Sequence, residues 1–245
     1  MSLKKVILDN VPPSLILRGL SLKHQFSGVP ELKLLKKLIK PGTDSIDVGV
    51  YLGVFSINMA KYARKVYSFE PHPKHFEFSR KALPKNVEVM KMALSDRTFE
   101  SELVVPLEYP SAGSISKGFE GRNVERFKVK AQPLDDFNYD NISCIKIDAE
   151  GHEFNIIKGA KKTIERNKPN LIIEIEQRHI DFDISEVFDG INEMGYKGYF
   201  FQDNKIHSIS NFNTGKHQPL DQIGVYNVYI NNFIFIPSDL ELNLS

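Results

Sequence analysis

Residues 45–53 read Ser45-Ile46-Asp47-Val48-Gly49-Val50-Tyr51-Leu52-Gly53, an apolar segment that runs into two glycines. The start of this segment predicts a short β-strand, and residues 54–64 predict a helix. Gly49 and Gly53 let the backbone turn sharply and approach a ligand without a Cβ in the way. The helix start beyond them presents unpaired N–H groups to a carboxylate or a phosphate. The segment therefore predicts a ligand-binding turn between a strand and a helix.

The alternation of strand and helix continues along the chain. Further strands are predicted over residues 66–70, 87–93, 142–147 and 171–176, and further helices over residues 31–40, 75–83, 153–165 and 184–194. Strands separated by helices form βαβ units, so the pattern predicts a mostly parallel sheet with right-handed crossovers. Residues 101–137 instead indicate strands around a Gly/Ser-rich loop. After Gly195 the pattern is all-β, apart from a loop over residues 211–224, and is typical of antiparallel strands at a sheet edge.

Length and composition limit the classes of protein that this chain can represent. The 245 residues, 41% hydrophobic and 26% charged, are typical of one large globular α/β domain. Residues 1–30 are weakly patterned and are interpreted as a lead-in that packs on a domain formed by residues 31–245. The net charge of +1, from 32 basic and 31 acidic residues, removes the electrostatic argument for a nucleic-acid partner.

The cysteine content and the hydropathy pattern bear on location. The single cysteine, Cys144, excludes an intrachain disulfide and fits a reducing compartment. No apolar run approaches the roughly 20 residues needed to span a bilayer, so no membrane association is expected. The N-terminus lacks the apolar core of a signal peptide. These features predict a cytoplasmic protein, and they leave its oligomeric state open.

An acid at the end of the next predicted strand narrows the ligand class. Glu70 follows Gly49 by 21 residues, where a carboxylate can accept hydrogen bonds from both hydroxyls of a ribose. The glycines are spaced G-x-x-x-G, unlike the G-x-G-x-x-G of dinucleotide sites. Asp47 would repel a pyrophosphate but suits an amino group or a cationic centre. S-adenosylmethionine (SAM) carries an amino acid end, a sulfonium and a ribose, so it is the predicted cofactor.

Several further blocks, in order along the chain, resemble the FkbM family of methyltransferases. They are Asp47-Val-Gly-Val-Tyr-Leu-Gly53, Phe69-Glu-Pro-His-Pro73, Ala93-Leu-Ser-Asp96, Leu134-Asp-Asp-Phe137 and Lys146-Ile-Asp-Ala-Glu-Gly-His-Glu153, the last being the most specific. The resemblance implies a class I methyltransferase, Rossmann-like α/β fold. Such a fold has a seven-stranded, mostly parallel sheet with an antiparallel last strand, and helices on both faces.

The resemblance also assigns roles around the cofactor. Asp47, Gly49 and Gly53 would surround the methionine part of SAM, Glu70 would hold the ribose, and Ser95 and Asp96 would lie beside the adenine. Asp148 is expected at the same crevice and is included among the cofactor contacts.

Tyr51 belongs to the one notable departure from the family. The family usually has Ala-Asn where this chain has Val50-Tyr51. The tyrosine hydroxyl would replace the polar contact of the asparagine amide, or the ring would crowd the pocket.

Acidic residues and a histidine follow the strand at 142–147. Because ligands bind at the carboxyl ends of strands in such sheets, Asp148, Glu150 and His152 should border the crevice. Methyl transfer to a hydroxyl requires alignment of the two groups and removal of a proton. His152 is the predicted base, since an unperturbed histidine has a pKa of about 6.5. Asp148 or Glu150 would orient it or hold the acceptor. Alternatively, His152 is only a helix-start residue bonded to backbone.

The acceptor contacts are the least determined part of the prediction. Ser114, in the Gly/Ser loop, is a candidate, as are Glu176, near the end of the fifth strand, and His179, just beyond it. Glu174 and Glu176 alternate on that strand and could join Asp148 around a divalent metal. No tight carboxylate cluster is evident in the sequence, so a metal is not expected.

The sequence therefore predicts SAM-dependent O-methylation of a small-molecule or sugar hydroxyl. One alternative is a catalytically degenerate SAM-binding module that acts through a protein partner, as the departure at Val50-Tyr51 suggests. Another is a dinucleotide-dependent enzyme, against which the glycine spacing argues. An RNA acceptor is disfavoured by the near-neutral charge.

Overall fold

A computed structural model describes residues 11–27, 29–109, 111, 113–116, 123–203, 205–225 and 227–240. The helices within these ranges are α1 (Pro13–Ser27), α2 (Pro30–Leu38), α3 (Val54–Met59), α4 (Pro73–Ala82), α5 (Glu153–Gly159), α6 (Lys161–Asn167), α7 (Ile184–Glu193) and α8 (Thr214–His217). The strands are β1 (Asp44–Val48), β2 (Val66–Phe69), β3 (Val87–Met90), β4 (Ala93–Leu94), β5 (Phe99–Pro106), β6 (Val124–Gln132), β7 (Ile142–Ile147), β8 (Asn170–Glu174), β9 (Tyr196–Gln202), β10 (Lys205–Ser208) and β11 (Asn232–Pro237).

The large sheet has the order β10-β9-β11-β8-β7-β1-β2-β3. Neighbours from β8 to β3 are parallel, whereas β11 is antiparallel to both β8 and β9. The last strand of the chain is therefore inserted antiparallel, as predicted. The sheet has eight strands rather than seven, because the chain reverses after β9 and adds β10 at the edge.

A second, three-stranded sheet has the order β4-β6-β5. Residues 87–93 were predicted as one strand, but β3 ends at Met90 and β4 pairs with β6 instead. The long antiparallel pair of β5 and β6 accounts for the two strands predicted within residues 101–137. This small sheet brings Ser95, which directly follows β4, against Gly159 at the end of α5.

The core lies on both faces of the large sheet. Ile145, Ile147 and Ile173 are fully buried on one face, and Cys144 and Ile172 are fully buried on the other. A strand buried on both faces reads as a continuous apolar run, which is why these central strands were predictable.

The sequence pattern did not predict helix α1. It contacts α2, α3 and α4, and polar side chains help to anchor it: Asn58 donates to the Ser21 hydroxyl at 2.8 Å, and Gln25 donates to the side-chain Oδ1 of Asn58 at 2.6 Å. Leu15 and Leu22 are more than half exposed, so the apolar pattern does not mark a single buried face. Among the described residues, no helix is both long enough and apolar enough to cross a bilayer.

Gly159, at the end of α5, tests the contact between this helix and β4. A Cβ at this position would lie 1.9 Å from the carbonyl oxygen of Ser95. We expect Gly159→Ala to lower the free energy of unfolding by about 1–3 kcal/mol, because helix and turn must separate. Gly19→Ala is the control, since nothing lies within 4 Å of its Cβ position, and inside α1 it should raise that free energy by up to about 1 kcal/mol. Urea unfolding measures both, and equal stability of Gly159→Ala and wild type would contradict the close packing.

Candidate functional site

A cavity of about 300 Å³ opens at the carboxyl ends of β1, β2, β7 and β8. Its lining includes six of the residues predicted for the site, namely Gly49, Tyr51, Glu70, Asp148, Glu150 and His152. Apolar side chains at one end, among them Leu94, Leu103, Ile115 and Ile156, complete the wall. The fold thus brings together, in one cavity, predicted residues that are up to 103 positions apart in the sequence.

The turn at Gly49 is in direct contact with the end of β7. Gly49 has a φ of +81°, and a Cβ there would lie 1.7 Å from the carbonyl oxygen of Asp148. Its own N–H donates to Phe69 at 3.0 Å. Only glycine fits here, because any side chain would separate the strand ends. Gly53, with a φ of +88°, caps the start of α3 and does not line the cavity.

Glu70, directly after the end of β2, links the loop that follows β1 to the loop that follows β2. Its two carboxylate oxygens accept N–H bonds from Tyr51 at 2.7 Å and from His72 at 2.8 Å. Burial is the largest influence on this group and raises its pKa to about 7. Each carboxylate oxygen has a second lone pair, so both can still accept from a ligand hydroxyl.

Tyr51 has a left-handed backbone, with a φ of +50°. Its ring packs edge-on against His75 at 4.6 Å and remains 41% exposed, so it lies at the rim of the cavity and leaves the space open. His75 in turn stacks on His72 at 3.9 Å. Both histidines line the cavity, and neither was predicted. The block Phe69–Pro73 had marked only Glu70.

Asp47 lies behind the turn rather than in the cavity wall. It is buried, and its Oδ2 accepts a hydrogen bond from Ser56 at 2.5 Å, while Ser56 also contacts Ser68 at 2.9 Å. Burial raises the pKa of Asp47 to about 6. The carboxylate therefore links β1, β2 and α3 beneath the glycine turn.

An acidic group surrounds one buried lysine at the ends of β7 and β8. Lys146 is only 1% exposed; its ammonium donates to the side-chain Oδ1 of Asn232 at 3.1 Å and lies 3.6 Å from Asp148. Burial and then the charge of Asp148 raise the pKa of Glu174 well above its usual range. Burial, Asp148 and further acids likewise raise the pKa of Glu150 to about 8. Asp148 thus faces the cavity next to carboxyl groups that retain their protons.

Glu153 shapes the loop that carries these acids. It is buried, and its carboxylate accepts N–H bonds from Ala149 at 2.9 Å and from Gly151 at 3.1 Å. Glu150 and Gly151 both have positive φ values. The carboxylate compensates for this irregular backbone by satisfying N–H groups that no strand or helix pairs.

His152 is held by hydroxyl groups at both ring nitrogens. Its Nε2 lies 2.8 Å from the Ser95 hydroxyl, and its Nδ1 lies 2.5 Å from the Ser116 hydroxyl. Ser95 donates to Asp96 at 3.1 Å, so the consistent arrangement has Nε2–H donating to Ser95 and Ser116 donating to Nδ1. Burial lowers the pKa of His152. The neutral imidazole is therefore engaged at both ends.

The predicted acceptor residues lie just outside the cavity wall. Ser114 donates to the backbone oxygen of Glu150 at 2.9 Å, and His179 lies 3.4 Å from the Glu150 carboxylate. Glu176 is bound by Arg178 and Tyr229. Burial opposes the ionisation of Glu176, yet these partners hold its pKa below the usual value. Within the described ranges, no three His, Cys, Asp or Glu side chains are grouped so that they could hold a metal ion.

Comparison with known proteins identifies the family. The model of the methyltransferase FkbM domain matches residues 47–198, more than half of the chain. The chain belongs to the FkbM methyltransferase family. No curated protein matches it. The glycine turn, Glu70 and the acidic loop after β7 all lie within the matched segment.

One solved structure supports the same fold, and two others are similar at lower scores. The methyltransferase FkbM from Methylobacillus flagellatus is 16% identical with a TM-score of 0.52, and the match covers 84% of this chain and 50% of that one. The chain therefore spans about half the length of that relative. An rRNA methylase from Streptococcus thermophilus is 14% identical with a TM-score of 0.49, over 85% and 94% of the two chains. A SAM-dependent methyltransferase from Aquifex aeolicus is 16% identical with a TM-score of 0.45, over 93% and 98%.

The raised pKa of Glu150 predicts how stability depends on pH. Between its ordinary pKa of 4.5 and the folded value of about 8, the folded chain keeps a proton that the unfolded chain has released. The free energy of unfolding should therefore fall as pH rises through this window. We expect Glu150→Gln to reduce the fall between pH 5.5 and pH 8, measured by urea unfolding. Glu165→Gln, at an exposed site on α6, is the control, and equal pH profiles for wild type and Glu150→Gln would contradict the buried acid.

Proposed function

We propose that this protein transfers a methyl group from SAM to a hydroxyl of a small molecule or sugar. The observation that carries the proposal is the position of Gly49 and Glu70 on one cavity. Gly49 lines the cavity, and its lack of a Cβ lets the end of β1 lie directly against the backbone of Asp148. Glu70 is a carboxylate with lone pairs free for a ribose diol. Membership of the FkbM family supplies the chemistry.

The lining of the cavity fits SAM part by part. The turn at Gly49 would receive the methionine end, Glu70 the ribose, and the apolar end with Leu94 and Ile156 the adenine ring. SAM supplies a methyl group activated by its sulfonium. A carboxylate at Asp148 would attract that positive charge, whereas a neutral side chain at this position would not.

The geometry favours Asp148 over His152 as the base. His152 is hydrogen-bonded to Ser95, which belongs to the adenine end, and its accepting nitrogen is already occupied by Ser116. Asp148 instead adjoins Gly49, at the methionine end. In this proposal the acceptor hydroxyl gives its proton to the Asp148 carboxylate, while Glu174 remains protonated beside it. His152 then orients the adenine end.

The alternative of a degenerate SAM-binding module would be favoured if Tyr51 filled the methionine pocket. The ring packs on His75 at the rim and leaves the cavity open, which supports binding rather than blockage. An open cavity therefore favours methyl transfer from SAM over a blocked, inactive module.

Glu70→Gln tests cofactor binding. The change removes one charged acceptor, and hydrogen bonds to a charged group contribute about 1.5–3 kcal/mol. We expect the affinity for SAM and for S-adenosylhomocysteine (SAH) to fall by about 10- to 100-fold, measured by calorimetry. Glu77→Gln, an exposed glutamate on α4 paired with Arg80, should bind both ligands like wild type. Absence of heat with either ligand on folded wild-type protein would refute the proposed function.

Asp148→Asn and His152→Asn separate the two possible bases. We measure transfer of labelled methyl from SAM to a panel of sugars and small hydroxyl compounds. If Asp148 is the base, Asp148→Asn should lower the rate by about 10²- to 10⁴-fold with little change in SAH affinity. His152→Asn should mainly weaken SAM binding. The reverse pattern, with a rate loss confined to His152→Asn, would restore the histidine as the base.

A further inference from the structure

Lys146 is a buried cation between two apolar residues of β7. Its neighbours Ile145 and Ile147 are fully buried, and the lysine side chain is itself almost inaccessible. The ammonium lies 5.1 Å from the centre of the Phe55 ring. A buried charge is costly unless nearby groups compensate for it. The groups around this ammonium therefore indicate what the lysine does.

A directed chain of hydrogen bonds starts at the Lys146 ammonium. The ammonium donates to Oδ1 of Asn232 at 3.1 Å, and the amide of Asn232 donates to Oδ1 of Asn231 at 3.2 Å. Asn231 in turn donates to Oε1 of Glu174 at 2.6 Å. Because an ammonium has donors and no acceptor, it fixes the direction of both amides. Oε1 of Glu174 is therefore an acceptor, which leaves Oε2 to carry the proton of a neutral carboxyl group.

Glu174 and Asp148 are also hydrogen-bonded to each other. Burial and then the charge of Asp148 raise the pKa of Glu174 well above its usual range, so Glu174 is the partner that keeps a proton and donates. Asp148 thus accepts from Glu174 and lies 3.6 Å from the Lys146 ammonium. Both contacts favour a negative charge on Asp148.

Acids from the surrounding elements oppose that negative charge. Those whose charges act on Asp148, on Lys146 or on their acidic neighbours are Glu31 of α2, Asp47 of β1, Glu70 after β2, Glu150 and Glu153 after β7, and Glu176 after β8. Arg178 pairs with Glu176, and His179 lies 3.4 Å from Glu150. Lys146, by contrast, is the cation next to Asp148 itself.

The charge of Asp148 affects both ligands of the proposed reaction. A carboxylate attracts the sulfonium of SAM and can take a proton from an acceptor hydroxyl, whereas a neutral carboxyl group does neither. Among so many acids, an adjacent cation favours the charged form of Asp148 over a shared or retained proton.

We propose that Lys146 is a positioning residue for methyl transfer: it keeps Asp148 ionised beside the Gly49 turn and, through Asn232 and Asn231, directs the proton of Glu174 toward Asp148. This inference rests on the proposed function. It assigns a role in the reaction to Lys146, Asn231 and Asn232, none of which lines the cavity.

The ratio of SAM affinity to SAH affinity reports the charge of Asp148 without any acceptor. The two ligands differ by one methyl group and by the positive charge on sulfur, so an ionised Asp148 favours SAM. Calorimetry on the full chain measures this ratio from pH 5.5 to pH 8.5.

Lys146→Met should make the ratio depend more steeply on pH. An opposite charge about 4–6 Å away typically lowers the pKa of a carboxyl group by about 1–3, so without the ammonium Asp148 should take up its proton at a higher pH. Between pH 8.5 and pH 5.5 we expect the ratio to fall about three- to tenfold more in the variant than in wild type. At pH 8.5 the variant should bind SAM at least as well as wild type, because a cation that repels the sulfonium is gone.

Two further variants support this comparison. Lys146→Gln keeps a donor for Asn232 and loses the charge, so it should show the same change even if Lys146→Met does not fold. Lys65→Met breaks an exposed ion pair with Glu88 and should follow the wild-type profile. Equal profiles for wild type and the Lys146 variants would overturn the proposal. A parallel loss of SAM and SAH at every pH would also overturn it, since that loss indicates a purely structural role.

A double variant tests whether Lys146 acts through Asp148. With Asp148→Asn already present, adding Lys146→Met should change the pH dependence of the ratio less than twofold. If the full effect of Lys146→Met persists there, the lysine acts on another acid, and the assignment to Asp148 is wrong.

Glu174→Gln tests the direction of the hydrogen-bond chain. The glutamine amide can donate to Asp148 and accept from Asn231, as the protonated acid does, so the ratio should stay within about twofold of wild type at each pH. An ionised Glu174 would instead lose a negative charge near the sulfonium. A lower ratio across the whole pH range would therefore overturn the proposed direction.

The behaviour of wild type separates this inference from the proposed function. Wild-type protein that binds neither SAM nor SAH contradicts the proposed function itself. Wild-type protein that binds both, together with Lys146 variants that keep its pH profile, contradicts only the role of Lys146.

Discussion

The whole site depends on how closely the end of β1 approaches the end of β7. At Gly49 the backbone passes the Asp148 carbonyl with no room for a Cβ, which would lie 1.7 Å from that oxygen. This approach places the glycine turn, the acid of β2 and the acidic loop after β7 around one cavity. Because the strands are parallel, their carboxyl ends meet at the same edge, so one tight contact aligns residues from distant parts of the chain.

The charges around Lys146 also constrain the region where β1 and β7 end. Lys146 is a buried cation whose charge acts on Glu31, Asp47 and Glu174 as well as on the nearby Asp148. One ammonium cannot neutralise four carboxylates, so burial keeps some of them protonated near neutral pH. Asp148, with 31% of its side chain exposed, and Glu174 are the two members of the group that line the cavity. Asp148 therefore lines the cavity beside Glu174 and Glu150, two carboxyl groups whose pKa values are raised by burial.

Sequence reasoning succeeded where one residue type was required by backbone geometry or by burial. Gly49 was identifiable because the turn admits only glycine, and Glu70 because it lies 21 residues after Gly49, at the end of the next predicted strand. The central strands were identifiable because both of their faces are buried. The family blocks added Asp148, Glu150 and His152, which the fold brings to the same cavity although they follow a different strand.

Sequence reasoning failed where tertiary contacts assign the role. Helix α1 has no single apolar face, and part of its anchoring comes from Asn58, which is remote in sequence. His72 and His75 line the cavity only because Glu70 and Tyr51 fix the loop around them. The role of His152 could not be read from its pKa alone. Its partners Ser95 and Ser116 come from the small sheet and its loop, and they occupy both ring nitrogens, so contacts from distant segments determine which protons the imidazole can exchange.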